Sequence, residues 1–214
     1  MKTTLVLVRH GQSEANLKGF YAGHTDADLT ETGLQQAEKT AEYVVQNYTV
    51  DKIYASDLKR AFKTAQAVGQ KLHMEVIPCR ELREIDAGDW EGLPFETLQR
   101  DHKEAYGLWL SDIGNSVCTG GESVKELGDR ILRALTDIAE ENPGKTVLVG
   151  IHATPIRVMQ CLWSGLPLSS MQEIPWVSNA SVTEVVYEDG NWELVKVGYD
   201  AHLAALKTHL PTNV

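Results

Sequence analysis

Short apolar runs alternate along the chain with longer stretches whose apolar positions recur at helical spacing. Residues 4–8 (TLVLV), 52–55 (KIYA), 74–78 (MEVIP) and 146–151 (TVLVGI) have the length and composition of buried strands. Between them, Thr30 is placed to cap a helix with Leu34, Ala37, Ala41, Val44 and Val45 on its apolar stripe. Ser56 or Asp57 is placed to cap a second helix running to about Leu72. Ser123 and Glu126 form an S-x-x-E capping box ahead of Val124, Leu127, Ile131, Leu135 and Ile138. Pro155 falls where the last long helix begins. Residues 181–197 read as a hairpin turning at Asp189-Gly190, which adds an antiparallel strand.

Strands alternating with amphipathic helices predict an α/β fold: a three-layer α/β/α sandwich with a mostly parallel central sheet. Residues 92–120 break the alternation. They hold Leu93, Phe95, Leu98, Trp109 and Leu110 among polar residues and predict a small helical excursion over one edge of the sheet. At 214 residues the chain is expected to be one domain carrying this cap-like excursion.

Composition narrows the partners. The formal net charge of −10 disfavours nucleic acid and anionic lipid, so an anionic substrate needs a local basic pocket. Cys79, Cys118 and Cys161 are odd in number and lack metal-type spacing, which predicts a reduced, cytoplasmic protein. The first apolar run is too short for a signal-peptide core, and no later one is long enough to span a bilayer. Oligomeric state stays open, a homodimer included.

Candidate chemistry emerges where the strands end. In sheets of this kind ligands bind beyond the carboxyl ends of the strands. Arg9 and His10 follow the first run, Arg60 the second, Glu84 the third and His152 the fourth. Two arginines, two histidines and one carboxyl group at a shared edge suit a phosphoryl group. Guanidinium forks pair with its oxygens, and a neutral imidazole nitrogen can attack phosphorus. Gly11 would let the backbone approach closely. An alkoxide leaves badly without a proton; Glu84 is the obvious donor in this set, with Glu81, Asp86, Asp89 and Glu91 close by in the sequence.

The stretches VRHGQSEAN, SDLKRAFKTA, LREIDAGDWEG, TGGES and GIHATPIR together resemble the histidine phosphatase superfamily, also called phosphoglycerate mutase-like. The resemblance runs from Leu5 to about Leu203. It implies a phosphohistidine on His10, a phosphate pocket of Arg9, Arg60 and His152, Asn16 nearby, and Glu84 as general acid and then base. It implies no metal and no other cofactor. Where family members often carry two glycines, Ala153 and Thr154 follow the second histidine. The Ala153 N–H remains available, and of the two roles open to the Thr154 hydroxyl, bonding the phosphate or capping the helix, the cap is expected. The expected activity is metal-independent hydrolysis of small phosphate monoesters. The alternative is mutase-type phosphoryl transfer, which needs cations to grip a second anionic group. Residues 92–120 offer only Arg100, His102 and Lys103. A metallohydrolase fits poorly beside the arginines, and a silent scaffold would not need the whole set. His24 follows the catalytic loop and could overhang the pocket, whereas Trp90 and Trp109 read as packing residues.

Overall fold

The structure, a computed structural model, describes residues 1–208. Its centre is the parallel pair β1 (Thr3–Arg9) and β4 (Thr146–Ile151). Both strands are sheathed on two faces, which is why they read as near-continuous apolar runs. Strands β2 (Lys52–Ser56) and β3 (Val76–Cys79) extend the sheet in parallel beyond β4. Strands β5 (Val182–Glu188) and β6 (Asn191–Tyr199) extend it beyond β1, giving the order β3-β2-β4-β1-β5-β6. β5 is antiparallel to β1 and β6 antiparallel to β5, so the closing hairpin contributes two strands rather than one. Asp189 and Gly190 both have positive φ, 50° and 82°, as a two-residue hairpin turn that follows the sheet's twist requires.

Helix α1 (Glu14–Lys18) is a single turn after β1. Helices α2 (Glu31–Asn47) and α3 (Lys59–Leu72) cover one face of the sheet, where Val6 and Val8 pack with Ala41, Val44, Ala65 and Val68. Helices α4 (Phe95–Asp101) and α5 (Lys103–Ser111) form the excursion. Helices α6 (Val124–Glu140) and α7 (Ala153–Trp163) cover the other face, where Leu5 and Leu7 pack with Leu127, Ile131, Leu135 and Ile156. The two-residue alternation of β1 thus divides its side chains between two helical layers. Among the described residues no helix is long and apolar enough to cross a membrane.

Local expectations meet the structure unevenly. The α6 stripe is buried throughout, and both halves of the Ser123–Glu126 capping box form. Thr30 caps α2 through the Gly33 N–H. The buried face of α2 is rotated, however: Leu34 and Val45 are 48% and 38% exposed, while Gln36 and Thr40 are buried. Hydrogen bonds explain the rotation. Gln36 Oε1 accepts from the Gln12 N–H at 2.7 Å, and the Thr40 hydroxyl donates to the Ala180 carbonyl at 2.9 Å. Neither Ser56 nor Asp57 caps α3, whose N-cap is Leu58. The Ser56 hydroxyl meets His152, and Asp57 pairs with Arg83 through two 2.6 Å hydrogen bonds. In the excursion, Leu98 and Trp109 are buried but Leu110 is 37% exposed.

Ile131 is wholly buried in the larger core cluster. Ile131→Ala should therefore lower the unfolding free energy by about 2–5 kcal/mol with an unchanged denaturant slope. Urea titration followed by circular dichroism checks this.

Candidate active site

Sheet register assembles the site. Arg9 and Ile151 are partners in neighbouring strands, so His10 and His152, each one residue further on, emerge side by side. The His10 N–H donates to the Ile151 carbonyl at 3.0 Å, and the two imidazole centroids lie 5.2 Å apart at 62°. Gly11 permits a close approach, though to protein rather than to a ligand. A Cβ there would sit 2.5 Å from the Gly33 carbonyl oxygen, and the Gly11 N–H is spent on the Thr64 hydroxyl at 3.1 Å.

His10 is 4% exposed, and its Nδ1 lies 2.7 Å from the Gly11 carbonyl oxygen. A carbonyl only accepts, so Nδ1 carries the proton and Nε2 keeps its lone pair. Burial, reinforced by the Arg60 and Arg9 charges, holds the His10 pKa well below that of ordinary histidine. Burial, then Arg60, then His10 itself do the same to His152. His152 Nε2 lies 2.8 Å from Ser56 Oγ, while its buried Nδ1 has no partner among the described residues. It stands against His10, behind the residues that line the pocket.

Arg9 and Arg60 are 2% and 1% exposed. Every hydrogen bond they donate among the described residues ends on a backbone carbonyl. Arg9 Nη1 reaches Val177; Arg60 Nη1 and Nη2 reach Thr25 at 2.9 Å and Gly23 at 2.7 Å. Burial brings the Arg9 pKa down to about 10 and lowers that of Arg60. Two desolvated cations without a bound carboxylate leave a strong demand for an anion between them.

Glu84 also lines the pocket. Its Oε1 accepts from the Ile85 N–H at 2.9 Å and its Oε2 from the Thr154 N–H at 3.3 Å. Its backbone carbonyl accepts from His24 Nε2 at 2.9 Å and from Arg130 Nη2 at 3.2 Å. His24 therefore touches the site from behind Glu84. The expected Thr154 cap is absent: His152 is the N-cap of α7 with no side-chain cap bond, and Thr154 lines the pocket beside Ala153. The Thr154 N–H is engaged by Glu84, so the residue belongs to the helix rather than to its cap.

Asn16 has two employments. Its Oδ1 accepts from the Ser13 N–H, the Ser13 hydroxyl and Asn179 Nδ2, each at 3.1 Å. That occupancy assigns the amide orientation and leaves Nδ2 as a donor on a pocket-lining residue.

Three contributors have no local signal in the sequence. Asn179 Nδ2 donates to the His10 carbonyl at 3.2 Å across 169 positions of chain. Glu91 accepts from the N–H groups of His24 and Thr25 at 2.6 Å each and from that of Ala87 at 3.2 Å. It thereby pins the loop whose carbonyls hold Arg60. Trp176 lines the pocket between Ile174 and the Val177 carbonyl that takes Arg9. Trp90 is buried packing as expected, but Trp109 also lines the pocket. Among the described residues no cluster of three or more His, Cys, Asp or Glu side chains is placed to hold a metal.

Two buried guanidiniums that, among the described residues, carry no carboxylate, set beside a buried imidazole at one sheet edge, mark an α/β protein with a candidate anion site. The chain belongs to the histidine phosphatase superfamily (branch 1), whose family model matches residues 5–200. It is 32% identical over 199 residues to phosphoserine phosphatase 1 of Hydrogenobacter thermophilus, covering 93% of each chain. It is also 32% identical over 206 residues to a metal-independent phosphoserine phosphatase of Arabidopsis thaliana, covering 95% of this chain and 84% of that one. Among solved structures, Bacillus stearothermophilus YhfR superposes with a TM-score of 0.89 at 27% identity, covering 94% of this chain and 99% of that one.

A folded-state pKa held below the free value means that the unfolded chain takes up protons first. Stability from neutral His10 and His152 is thus present above about pH 6.5 and declines as pH falls below it. In nitrogen-15 NMR titration of the free protein, both rings should stay neutral at pH 6.5 and below, and thermal midpoints should fall from pH 7 to 5. A His10 ring that protonates at or above pH 6.5 would contradict the burial of its charge.

Proposed function

We propose that the protein is a metal-independent phosphatase that hydrolyses small phosphate monoesters through a phosphohistidine on His10. One observation carries the reading. A neutral imidazole whose Nε2 keeps its lone pair sits beside two buried guanidiniums that, among the described residues, have no carboxylate on them. A phosphate dianion answers both cations, and its phosphorus is the electrophile that an imidazole lone pair seeks.

Nε2 attacks phosphorus as the ester P–O bond breaks. The positive charge that develops on the ring is met by the Nδ1–H···O=C bond to Gly11. Arg9 and Arg60 hold the transferring oxygens, joined by the Asn16 amide and the Ala153 N–H at the start of α7. Protonated Glu84 gives its proton to the departing alkoxide. Its carboxylate then takes a proton from water, whose oxygen bonds to phosphorus as the N–P bond breaks. The acid is thereby regenerated for the next cycle. His152 stands behind His10 and, with its Nε2 toward Ser56, backs the nucleophile and the phosphate. Compensation by guanidinium and N–H groups leaves no step that requires a metal. The similar proteins named phosphoserine phosphatase support the hydrolytic outcome.

His10→Ala should abolish both turnover of p-nitrophenyl phosphate and acid-labile labelling by a phosphate ester, while the wild-type protein keeps full activity after exhaustive chelation. Near-normal turnover in the variant sinks the nucleophile. Activity lost to EDTA and restored by a divalent ion sinks metal independence. With 3-phosphoglycerate and a bisphosphoglycerate primer, free phosphate should outrun 2-phosphoglycerate; the reverse would mark a mutase.

Glu84→Gln should slow phosphohistidine formation from an alkyl phosphate far more than from p-nitrophenyl phosphate, because nitrophenolate leaves without a proton. Rapid-quench measurement of the first step checks this. Equal slowing would move the acid to Asp86 or Asp89.

A further inference from the structure

We infer that the alcohol released at this site is uncharged and apolar, and that Trp176 selects it. This selectivity presupposes the phosphatase reading above. Beyond the phosphate end, the pocket wall is Phe20, Tyr21, Ala22, Phe95, Trp109 and Trp176. The charged side chains on the lining are Arg9, Arg60 and Glu84, and all three lie at the reacting end. The guanidiniums answer the phosphate, and both Glu84 oxygens already accept backbone N–H groups. Tyr21 adds no opposite charge: burial and the Cys118 thiol beside its hydroxyl keep it protonated. A leaving group bearing a carboxylate, an ammonium or a second phosphate would shed its water against this wall and meet no counter-charge.

Trp176 is built as a fixed surface. The Arg157 guanidinium stacks on its ring, with Cζ 4.2 Å from the centroid. Arg157 also donates from Nε to the Ile174 carbonyl at 2.6 Å and from Nη2 to the Gln172 carbonyl at 3.2 Å. One residue further along the chain, the Val177 carbonyl is held by Arg9. The wall residue is thus fixed by a stacked cation on its ring and by the clamp's hold on the backbone of its neighbour. Arg157 is only 5% exposed, and burial brings its pKa down to about 10. Its charge is committed to the indole and to two carbonyls, and does not serve a substrate anion. The part of Trp176 that lines the pocket offers dispersion and apolar burial. Serine, the alcohol in the substrate named for the phosphoserine phosphatases, carries an ammonium and a carboxylate that find no partner here.

The test is kcat/KM for primary alkyl phosphates from ethyl to hexyl, beside O-phosphoserine, 3-phosphoglycerate and p-nitrophenyl phosphate. Unsubstituted primary alkanols leave with nearly equal difficulty, so the alkyl series reads the wall and not the chemistry. Each methylene should raise kcat/KM by about fourfold until the wall is covered. Hexyl phosphate should exceed phosphoserine and 3-phosphoglycerate by on the order of a hundredfold. The hexyl-to-ethyl ratio should fall about tenfold in Trp176→Ala and be largely kept in Trp176→Phe. Phosphoserine or 3-phosphoglycerate matching hexyl phosphate would overturn the selectivity, as would a hexyl-to-ethyl ratio untouched by Trp176→Ala. If p-nitrophenyl phosphate is hydrolysed in either case, the phosphatase reading survives without it. If no ester in the panel is hydrolysed, both fall together.

Discussion

Two positive charges are buried at one edge of the sheet, Arg9 ending β1 and Arg60 in the first turn of α3, and among the described residues no negative side chain is bound to them. Arg9 and Arg60 are each more than nine-tenths shielded from water, and their hydrogen bonds run to main-chain oxygens. Desolvating a guanidinium costs several kcal/mol unless something repays it. Here the carbonyl dipoles of Gly23, Thr25 and Val177 repay part, and the field of Glu84 another part. The remainder is an uncompensated demand for negative charge. Much else follows from that imbalance: the two histidines are held neutral, His10 keeps a lone pair on Nε2, and surrounding segments are stitched to hold the cations in place.

The stitching explains the irregular middle of the chain. Glu91 ties the 23–25 loop to the segment that follows Glu84, and Arg130 ties that segment to α6 through the carbonyls of Glu81, Arg83 and Glu84. Glu84 and Arg60 therefore share one scaffold, although 24 positions separate them. α4 and α5 close over it, bringing Phe95 and Trp109 to the pocket wall.

Much of this was legible in the sequence because it is local. A strand that must be buried on both faces shows as an unbroken apolar run, so β1 and β4 stand out, and the residues just beyond them mark the site. The α6 stripe and its capping box are equally local. The α2 face was misread because Gln36 and Thr40 are buried by hydrogen bonds to Gln12 and Ala180. Hydrophobic periodicity carries no record of such bonds. Ser56 looked like a cap, yet its hydroxyl is used by His152, 96 positions away. Asn179, Glu91 and Trp176 likewise owe their roles to distant partners, and an asparagine or tryptophan in a loop has no pattern that announces one.

The clamp's reliance on main-chain carbonyls has an evolutionary consequence. A carbonyl is present whatever side chain its residue bears, so at positions 25 and 177 the clamp imposes a backbone path and not a residue identity. Gly23 is the exception, because its φ is 47° and a Cβ there would collide with Glu91 Oε1. Substitutions in the flanking loops can reshape the wall of the pocket while both guanidiniums remain seated. Such a scaffold lets drift in loop residues change what the pocket wall offers without breaking the hydrogen bonds that seat Arg9 and Arg60.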